Sequence, residues 1–516
     1  MRLAENMVYT TTLAQLLDGI AELPAELPPE FNVRVSGVQL DSREIAPGDL
    51  FFACFGKNHD ARDYIDAAIA RGALAVLAHA GGNWQGVTVW HGVIVLAIDD
   101  LAARAGEIAS RFFDEPSAAM SMIGVTGTNG KTSCTQFIAQ TLNGMQRCCG
   151  VIGTLGIGVP PNLQDSSFTT PDPVRVQAAL AQLRNDGADT VAMEVSSQGL
   201  HQYRVNGVHF DVAVFTNLTR DHLDYHGSME DYAETKRKLF MFASLSSAVV
   251  NMDDPFATRI LNSLAPSVRS YTYSVSNNNA DVYAVKLARS RGGFKALIHT
   301  PVGEGELSGV LLGTFNFSNL MAVLATLIAT ESPRADFKLA PLLEQLSGLE
   351  PVSGRMEIVG DSGDITAVVD YAHTPDALRV ALLALREHFT GRIWCVFGCG
   401  GNRDQGKRPL MAEMAGQYAD MLIVTDDNPR TENADEIVRQ ILLGIEDSSR
   451  LIVERDRAKA IERAIVGAGA GDVVLVAGKG HENYQDINGK RMAFSDVKQA
   501  RIALIKRQAN NPQGSK

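Results

Sequence analysis

The stretch that decides the fold is SMIGVTGTNGKTSCTQF, residues 121–137. An apolar strand pattern, SMIGVT, runs through a glycine-rich turn into the helical pattern TSCTQFIAQTLNG. There Phe137, Ile138, Thr141, Leu142 and Met145 share one face. In a strand, loop and helix of this kind, backbone N–H groups, a lysine and a helix N-terminus converge on phosphate oxygens. Gly127 and Gly130 allow close approach of the backbone. Lys131 would neutralise β- and γ-phosphates and Thr132 would ligate Mg²⁺. The loop departs from the common G-x-x-x-x-G-K-[ST] spacing, because Val125 stands where the first glycine belongs and Gly124 is one position early. The alternative is a glycine-rich turn with a surface lysine.

Working outward, apolar strand-like runs alternate with helical patterns along the whole chain, which specifies α/β architecture. Before the loop come DLFFACFG, the helix-like DYIDAAIARG, ALAVLA, GVIVLAI and the helical LAARAGEIASRFF, with a first domain boundary near residue 102. After it come the strands TVAMEVS, VAVFTNL and AVVNMD, and a second boundary near residue 350. The last region reads ITAVVD, helix, RIWCVFG, helix, MLIVTD, helix, DVVLVAG, a doubly wound pattern. Thr374 caps one of its helices with Pro375 at the first helical position. Asn433 caps another, with Glu436 three residues on as a capping-box variant. The apolar run from Leu320 reads as a buried helix, and the final RQANNPQGSK as a frayed tail.

Composition narrows the class. At 516 residues the chain exceeds one hydrophobic core, and two to four domains are expected. Its 45% hydrophobic and 21% charged residues are those of a soluble globular protein. A formal net charge of −12 argues against sequence-independent nucleic-acid binding while leaving room for a polyanionic small substrate. The six cysteines lack C-x-x-C spacing, so neither a zinc site nor a disulfide framework is expected, and reduced thiols in the cytoplasm are the simpler reading. No signal-peptide pattern opens the chain, and no uncharged apolar run reaches the ~18 residues of a membrane span.

Polar residues cluster where strands end. Glu194 closes TVAMEVS, a usual place for a carboxylate ligand of Mg²⁺. Asn217, Asp221, His222, Asp224 and His226 follow VAVFTNL, as a site or as a solvated loop. Lys236 lies four residues after Tyr232 and three before Leu239, and its charged helix makes it, on pattern alone, a solvent-facing lysine. Asp370 and His373 sit between a strand and the Thr374-capped helix. GCGGNRDQGKRP is a second glycine-rich turn whose spacing fails G-x-G-x-x-G, which argues against a dinucleotide-binding oxidoreductase. With TDDNPRTEN and AGKGHENYQ, the last domain gathers Asp370, Arg403, Asp427, Arg430, Lys479 and Glu482 along one sheet edge, a face suited to a zwitterionic ligand.

In order, LDSREIAPGDLFFA, GVTGTNGKTS, TTPDP, AMEVSSQGL, NLTRDHLDYHG, YAETKRKLF, FNFSNLMAVLA, GRME, DYAHTPDAL, GGNRDQGKRP, DNPR and GKGHE resemble the Mur ligase family of ATP-dependent amide-bond-forming enzymes. That family's own phosphate loop reads T-G-T-N-G-K-[ST], which accounts for the missing glycine. The first and the DNPR segments set the chain apart from folylpolyglutamate synthetases. The resemblance implies an N-terminal domain over 1–102 for the uridine nucleotide, a central ATPase domain over 103–350 and a C-terminal Rossmann-like, amino-acid-binding domain over 351–516. It implies ATP and Mg²⁺ as cofactors. Its implied partners are UDP-N-acetylmuramoyl-L-alanyl-D-glutamate and meso-2,6-diaminopimelate, with no nucleic acid or membrane, for a cytoplasmic monomer.

Carried over by motif, Leu40, Ser42, Asn58, His59 and Asp60 would hold the uridine end, and Thr169, Thr170, Ser196, Gln202 and Arg204 the muramoyl-dipeptide. ATP would meet Gly127, Thr128, Asn129, Gly130, Lys131, Thr132 and Ser133, with Asn316, Arg355 and Asp370. Thr132, Glu194, His222 and a carbamylated Lys236 would serve magnesium, and Lys131, Glu194, His222 and Lys236 catalysis. Arg403, Asp427, Asn428, Pro429, Arg430, Gly478 and Glu482 would bind the amino acid, D-N-P-R marking the members that add diaminopimelate.

Overall fold

A computed structural model describes residues 9–21, 31–56, 59–166, 168–290, 292–361 and 364–510. Its α/β architecture rests on three main sheets. The first has five strands, Gly37–Gln39, Asp49–Ala53, Ala75–His79, Val93–Ile98 and Val87–Trp90. All neighbouring pairs are parallel except the last. Helix Leu101–Phe112 buries Leu101, Ala105, Ile108, Ala109 and Phe112 in the same core as Leu50, Leu77 and Leu96 of this sheet. The helix spans the expected boundary near residue 102 and packs with the first sheet.

The second sheet has eleven strands, and its parallel centre holds the loop that opened the sequence. Strand Ser121–Thr126 lies between Thr190–Glu194 and Val212–Phe215, with Glu194 level with Val125 and Phe215 level with Thr126. The chain passes from this strand first to one side and then to the other. The strand order therefore reverses there, and the crevice at the carboxyl ends is where open α/β sheets bind ligands. Helix Lys131–Gly144 is buried on more than the one face read from its pattern, because Thr314–Glu331 packs beside it. Thr314–Glu331 buries nearly every side chain of the apolar run from Leu320. Among the described residues no helix is long and apolar enough to cross a membrane. Strands Cys149–Gly153 and Arg269–Ser274 and two additions at the sheet's edges had no counterpart among the strands expected from sequence. A hairpin, Gly156–Val159 with Asn162–Gln164, extends one edge. The other edge runs on into the antiparallel strands Val282–Ser290, Gly293–Thr300 and Gly303–Gly309.

The third sheet is the doubly wound one. Thr366–Asp370, Val473–Ala477, Ile393–Phe397, Met421–Val424 and Leu451–Val453 are parallel, with Glu357–Asp361 antiparallel at the edge. Thr374 caps its helix as expected, accepting the Ala377 N–H at 3.2 Å. Asn433 also caps, but the reciprocal half of the capping box is missing because Arg439 and Gln440 occupy the Glu436 carboxylate. Of the tail expected to fray, residues 507–510 continue a helix, and residues 511–516 lie outside the described residues. Helix Asp496–Asn510 docks through the buried Arg507, which donates to the carbonyls of Ile465 and Ala468 at 2.7 Å each and pairs with Asp364 at 2.6 Å.

Candidate active site

The glycine loop is tied to the neighbouring strand end. Thr128 N–H donates to the Asn217 carbonyl (2.8 Å), Asn129 N–H to Asn217 Oδ1 (2.9 Å), and Thr216 Oγ1 to the Asn129 carbonyl (2.6 Å). Gly127 and Gly130 have φ of +151° and +88°, and a Cβ would fall 1.9 Å from Thr216 Oγ1 or 2.4 Å from Asn319 Oδ1, so only glycine fits at either place. The Lys131 ammonium folds back onto the carbonyls of Gly127 and Thr128 at 2.9 Å each, and burial pushes its pKa down. Ser133 is buried one residue beyond Thr132.

Glu194 is 1% exposed. Its Oε1 accepts the Thr154 N–H at 2.8 Å, and its Oε2 accepts the hydroxyls of Thr132 (3.0 Å) and Thr154 (3.1 Å). Nothing local in GTLG marks Thr154 as a threonine that faces a carboxylate on the neighbouring strand, 40 residues on in sequence. His222 stands on the rim with its side chain 44% exposed and a left-handed backbone, 3.3 Å from Asp221. Burial lowers its pKa, and Lys131 and Lys236 add to the shift. Among the described residues no group of three or more His, Cys, Asp or Glu is gathered to hold a metal ion, so Glu194 and His222 do not form a ready ligand cluster.

Lys236 corrects the pattern-based expectation of a surface lysine. It is 1% exposed, donates to the Gly127 carbonyl at 2.7 Å, and lies 4.5 Å from the centroid of the Tyr232 ring. Tyr232 in turn meets Thr128 Oγ1 at 3.1 Å. Helix Met229–Arg237 thus presses its inner face on the phosphate loop. Burial first, and then the Lys131 charge, drive the Lys236 pKa well below that of an ordinary lysine.

The residues expected to hold the muramoyl-dipeptide form one network. Thr170 Oγ1 donates to the Glu194 carbonyl (2.8 Å) and accepts the Ser196 N–H (3.0 Å). Arg204 donates to the Thr170 carbonyl (2.7 Å) and to Gln202 Oε1 (2.7 Å), and Thr169 meets Thr154 at 3.0 Å. In the first sheet, Leu40 is half-buried, Ser42 is buried and His59 is exposed, while Asp60 pairs with Arg62 at 2.7 Å. Asn58 lies outside the described residues. Glu44 reaches the central region through Arg175 at 2.8 Å.

Arg355 links the third sheet to the phosphate loop, stacking on Tyr371 at 4.6 Å and reaching Thr132 Oγ1 at 3.4 Å. Asp370, whose pKa burial raises, holds the Met356 N–H at 2.7 Å. Asn316 is turned inward, its amide donating to the Leu312 carbonyl at 2.9 Å.

At the carboxyl ends of the third sheet, Asn428 and Glu482 meet at 2.8 Å, and Gly478 packs beside Asp427. Pro429 precedes Arg430, whose φ is +53° and whose Nη1 donates to the Gly401 carbonyl at 2.7 Å. Glu432, the nearest acidic residue in sequence, is held instead by the fully buried Arg408 at 2.7 Å, which keeps its carboxyl down at about 2. Arg403 is exposed. Among the described residues Arg430 and Arg403 form no ion pair.

Across the chain, residues 34–113, 125–327 and 354–480 match the family models described as "Mur ligase family, catalytic domain", "Mur ligase middle domain" and "Mur ligase, glutamate ligase domain". A relative from Coxiella burnetii is 48% identical over 477 residues, covering 92% of this chain and 96% of its own. The chain belongs to the Mur ligase family. That relative, and one from Pseudomonas aeruginosa at 46% identity over 92% of this chain and 96% of its own, are both named UDP-N-acetylmuramoyl-L-alanyl-D-glutamate--2,6-diaminopimelate ligase. A solved structure of the same name aligns with this Mur ligase at a TM-score of 0.71 and 39% identity, covering 97% of this chain and 99% of that one. A folylpolyglutamate synthase from Mycobacterium tuberculosis shares the fold at a TM-score of 0.62, with 16% identity over 78% of this chain and 95% of its own.

Proposed function

We propose that this Mur ligase joins meso-2,6-diaminopimelate to the γ-carboxylate of D-glutamate in UDP-N-acetylmuramoyl-L-alanyl-D-glutamate, at the expense of ATP. A carboxylate is a poor electrophile. Attack of its oxygen on the γ-phosphorus expels ADP and creates an acyl phosphate. The amine then attacks that carbonyl, loses a proton, and phosphate leaves. The chain's contribution is charge neutralisation and positioning.

Lys131 would exchange the carbonyls of Gly127 and Thr128 for phosphate oxygens. The other loop residues, with Asn316, Arg355 and Asp370, would seat the rest of ATP. A single oriented carboxylate, Glu194, beside the Thr132 hydroxyl fits Mg²⁺, which keeps several waters and takes its remaining ligands from substrate phosphates. Bound there with help from His222 and carbamylated Lys236, the ion would offset charge on the β- and γ-phosphates. The network from Thr169 to Arg204 would hold the muramoyl-dipeptide, and the rim from Leu40 to Asp60 the uridine end. We read three domains divided near residues 102 and 350, the helix Leu101–Phe112 packing with the first, in a cytoplasmic monomer.

The choice of amino acid rests on Arg430. Diaminopimelate differs from lysine by a distal carboxylate, and a guanidinium without an acidic partner suits it through two parallel hydrogen bonds. Lysine would leave that arginine unpaired and bring an ammonium near it. Selectivity for diaminopimelate over L-lysine of ~10³-fold or more in kcat/KM is expected. Arg430→Ala should raise the KM for diaminopimelate about 10²-fold and leave that for ATP nearly unchanged. Equal use of L-lysine by the wild type would contradict this reading.

A further inference from the structure

Lys479 follows the strand Val473–Ala477 and is 0% exposed. A lysine so enclosed must satisfy its ammonium inside the protein. It donates to Asn428 Oδ1 at 2.9 Å and to Glu482 Oε2 at 2.7 Å, and stands 5.4 Å from the centroid of the Tyr484 ring. The Asn428 amide is oriented by two donors at its oxygen, Lys479 and the Asp486 N–H at 2.9 Å. That orientation sends Asn428 Nδ2 to Glu482 Oε2 at 2.8 Å. Glu482 Oε2 therefore receives two donors, while Oε1 receives none among the described residues. The carboxylate is fixed by one oxygen and can offer the other.

We propose that Lys479 is a positioning residue for amino-acid selection, locking Asn428 and Glu482 so that Glu482 Oε1 receives an ammonium of the incoming amino acid. The inference rests on the reading above that Glu482 binds diaminopimelate. Without Lys479, one of the two bonds that fix Glu482 is lost, and Asn428 loses one of the two donors that set its amide. The carboxylate then rotates, and the ammonium meets it in an unproductive geometry. Lys479 itself touches no substrate, so its removal acts on binding of one substrate and spares phosphoryl transfer.

The test is steady-state kinetics on Lys479→Met, Glu482→Gln and the double variant. Lys479→Met should raise the KM for meso-diaminopimelate by roughly 10- to 100-fold, the worth of a hydrogen bond to a charged group. The KM values for ATP and for the muramoyl-dipeptide nucleotide should stay within about twofold, and kcat within about threefold, of wild type, changes below ~1 kcal/mol. Because Lys479 acts through Glu482, the double variant should be no worse than the weaker single variant by more than about twofold. A buried lysine with a merely structural role would instead lower thermal stability, raise all three KM values together and give additive losses. If the methionine variant does not fold, Lys479→Gln, which keeps one donor for Asn428, replaces it with the same expectation. An unchanged KM for diaminopimelate, or additive losses, in an otherwise active enzyme overturns the role of Lys479 alone. A wild type that does not turn over diaminopimelate overturns both this inference and the reading beneath it.

Discussion

Replacing Lys236 with alanine is expected to leave a folded but nearly inactive enzyme, down at least ~10²-fold in turnover, with part of the activity restored by a short carboxylic acid in the buffer. A free ammonium is a poor neighbour for a divalent cation, whereas a carbamate is an anionic oxygen donor suited to Mg²⁺. Carbamylation requires a neutral amine. The structure favours that condition, because enclosure against the Gly127 carbonyl and the Tyr232 ring, with Lys131 nearby, depresses the Lys236 pKa. The sign follows directly. A depressed pKa raises the neutral fraction of the amine at any given pH, and acidification protonates it and removes the carbamate. Wild type supplied with ¹³C-labelled carbon dioxide should show a carbamate carbonyl resonance that Lys236→Ala lacks and that fades as pH falls. An alanine variant with normal turnover, or a wild type without that resonance, would count against the modification.

Lys131→Ala should abolish ligation to a similar or greater degree, about 10²-fold or more, with ATP saturating. Lysine supplies a point charge to the transferring phosphoryl group, and alanine leaves that group uncompensated. The fold should survive, since the ammonium now bonds only to carbonyls of its own loop. Burial rather than Lys131 is the larger cause of the low Lys236 pKa, so this variant should keep most of that depression and isolate the phosphate role. Turnover by ADP release and thermal unfolding on the same sample check both parts. Near-normal turnover would remove the loop from the mechanism.

The two lysines also mark what the sequence could and could not tell. Lys131 was legible because strand, loop and helix are contiguous, so local pattern carries the geometry. Lys236 was not, because its partner Gly127 lies 109 residues away and a nine-residue charged helix gives no sign of which face will be covered. The central parallel strands, such as Ser121–Thr126, Thr190–Glu194, Val212–Phe215, Ile393–Phe397 and Val473–Ala477, were readable as apolar runs buried on both faces, whereas Arg269–Ser274 and Leu451–Val453, partly exposed, were not. The antiparallel extension over Val282–Gly309 was missed because strands such as VYAVKLARS mix exposed, charged and apolar positions. Helix Leu101–Phe112 was recognised, but whether it served the first or second core depended on packing that no local pattern encodes. At the carboxyl ends of the third sheet, the proposed amino-acid site, the charged residues were visible as a group. That Glu432 belongs to Arg408, leaving Arg430 without an acidic partner, emerged only from the folded chain.

The central claim is that ATP cleavage here is coupled to joining two specific molecules. It is tested most directly by following ADP release with the muramoyl-dipeptide nucleotide and meso-diaminopimelate supplied singly and together. Sustained ADP release only when both are present, with stoichiometric formation of the tripeptide nucleotide, is the expected result. Sustained release with either one absent, or with both present but no amide product, would contradict it.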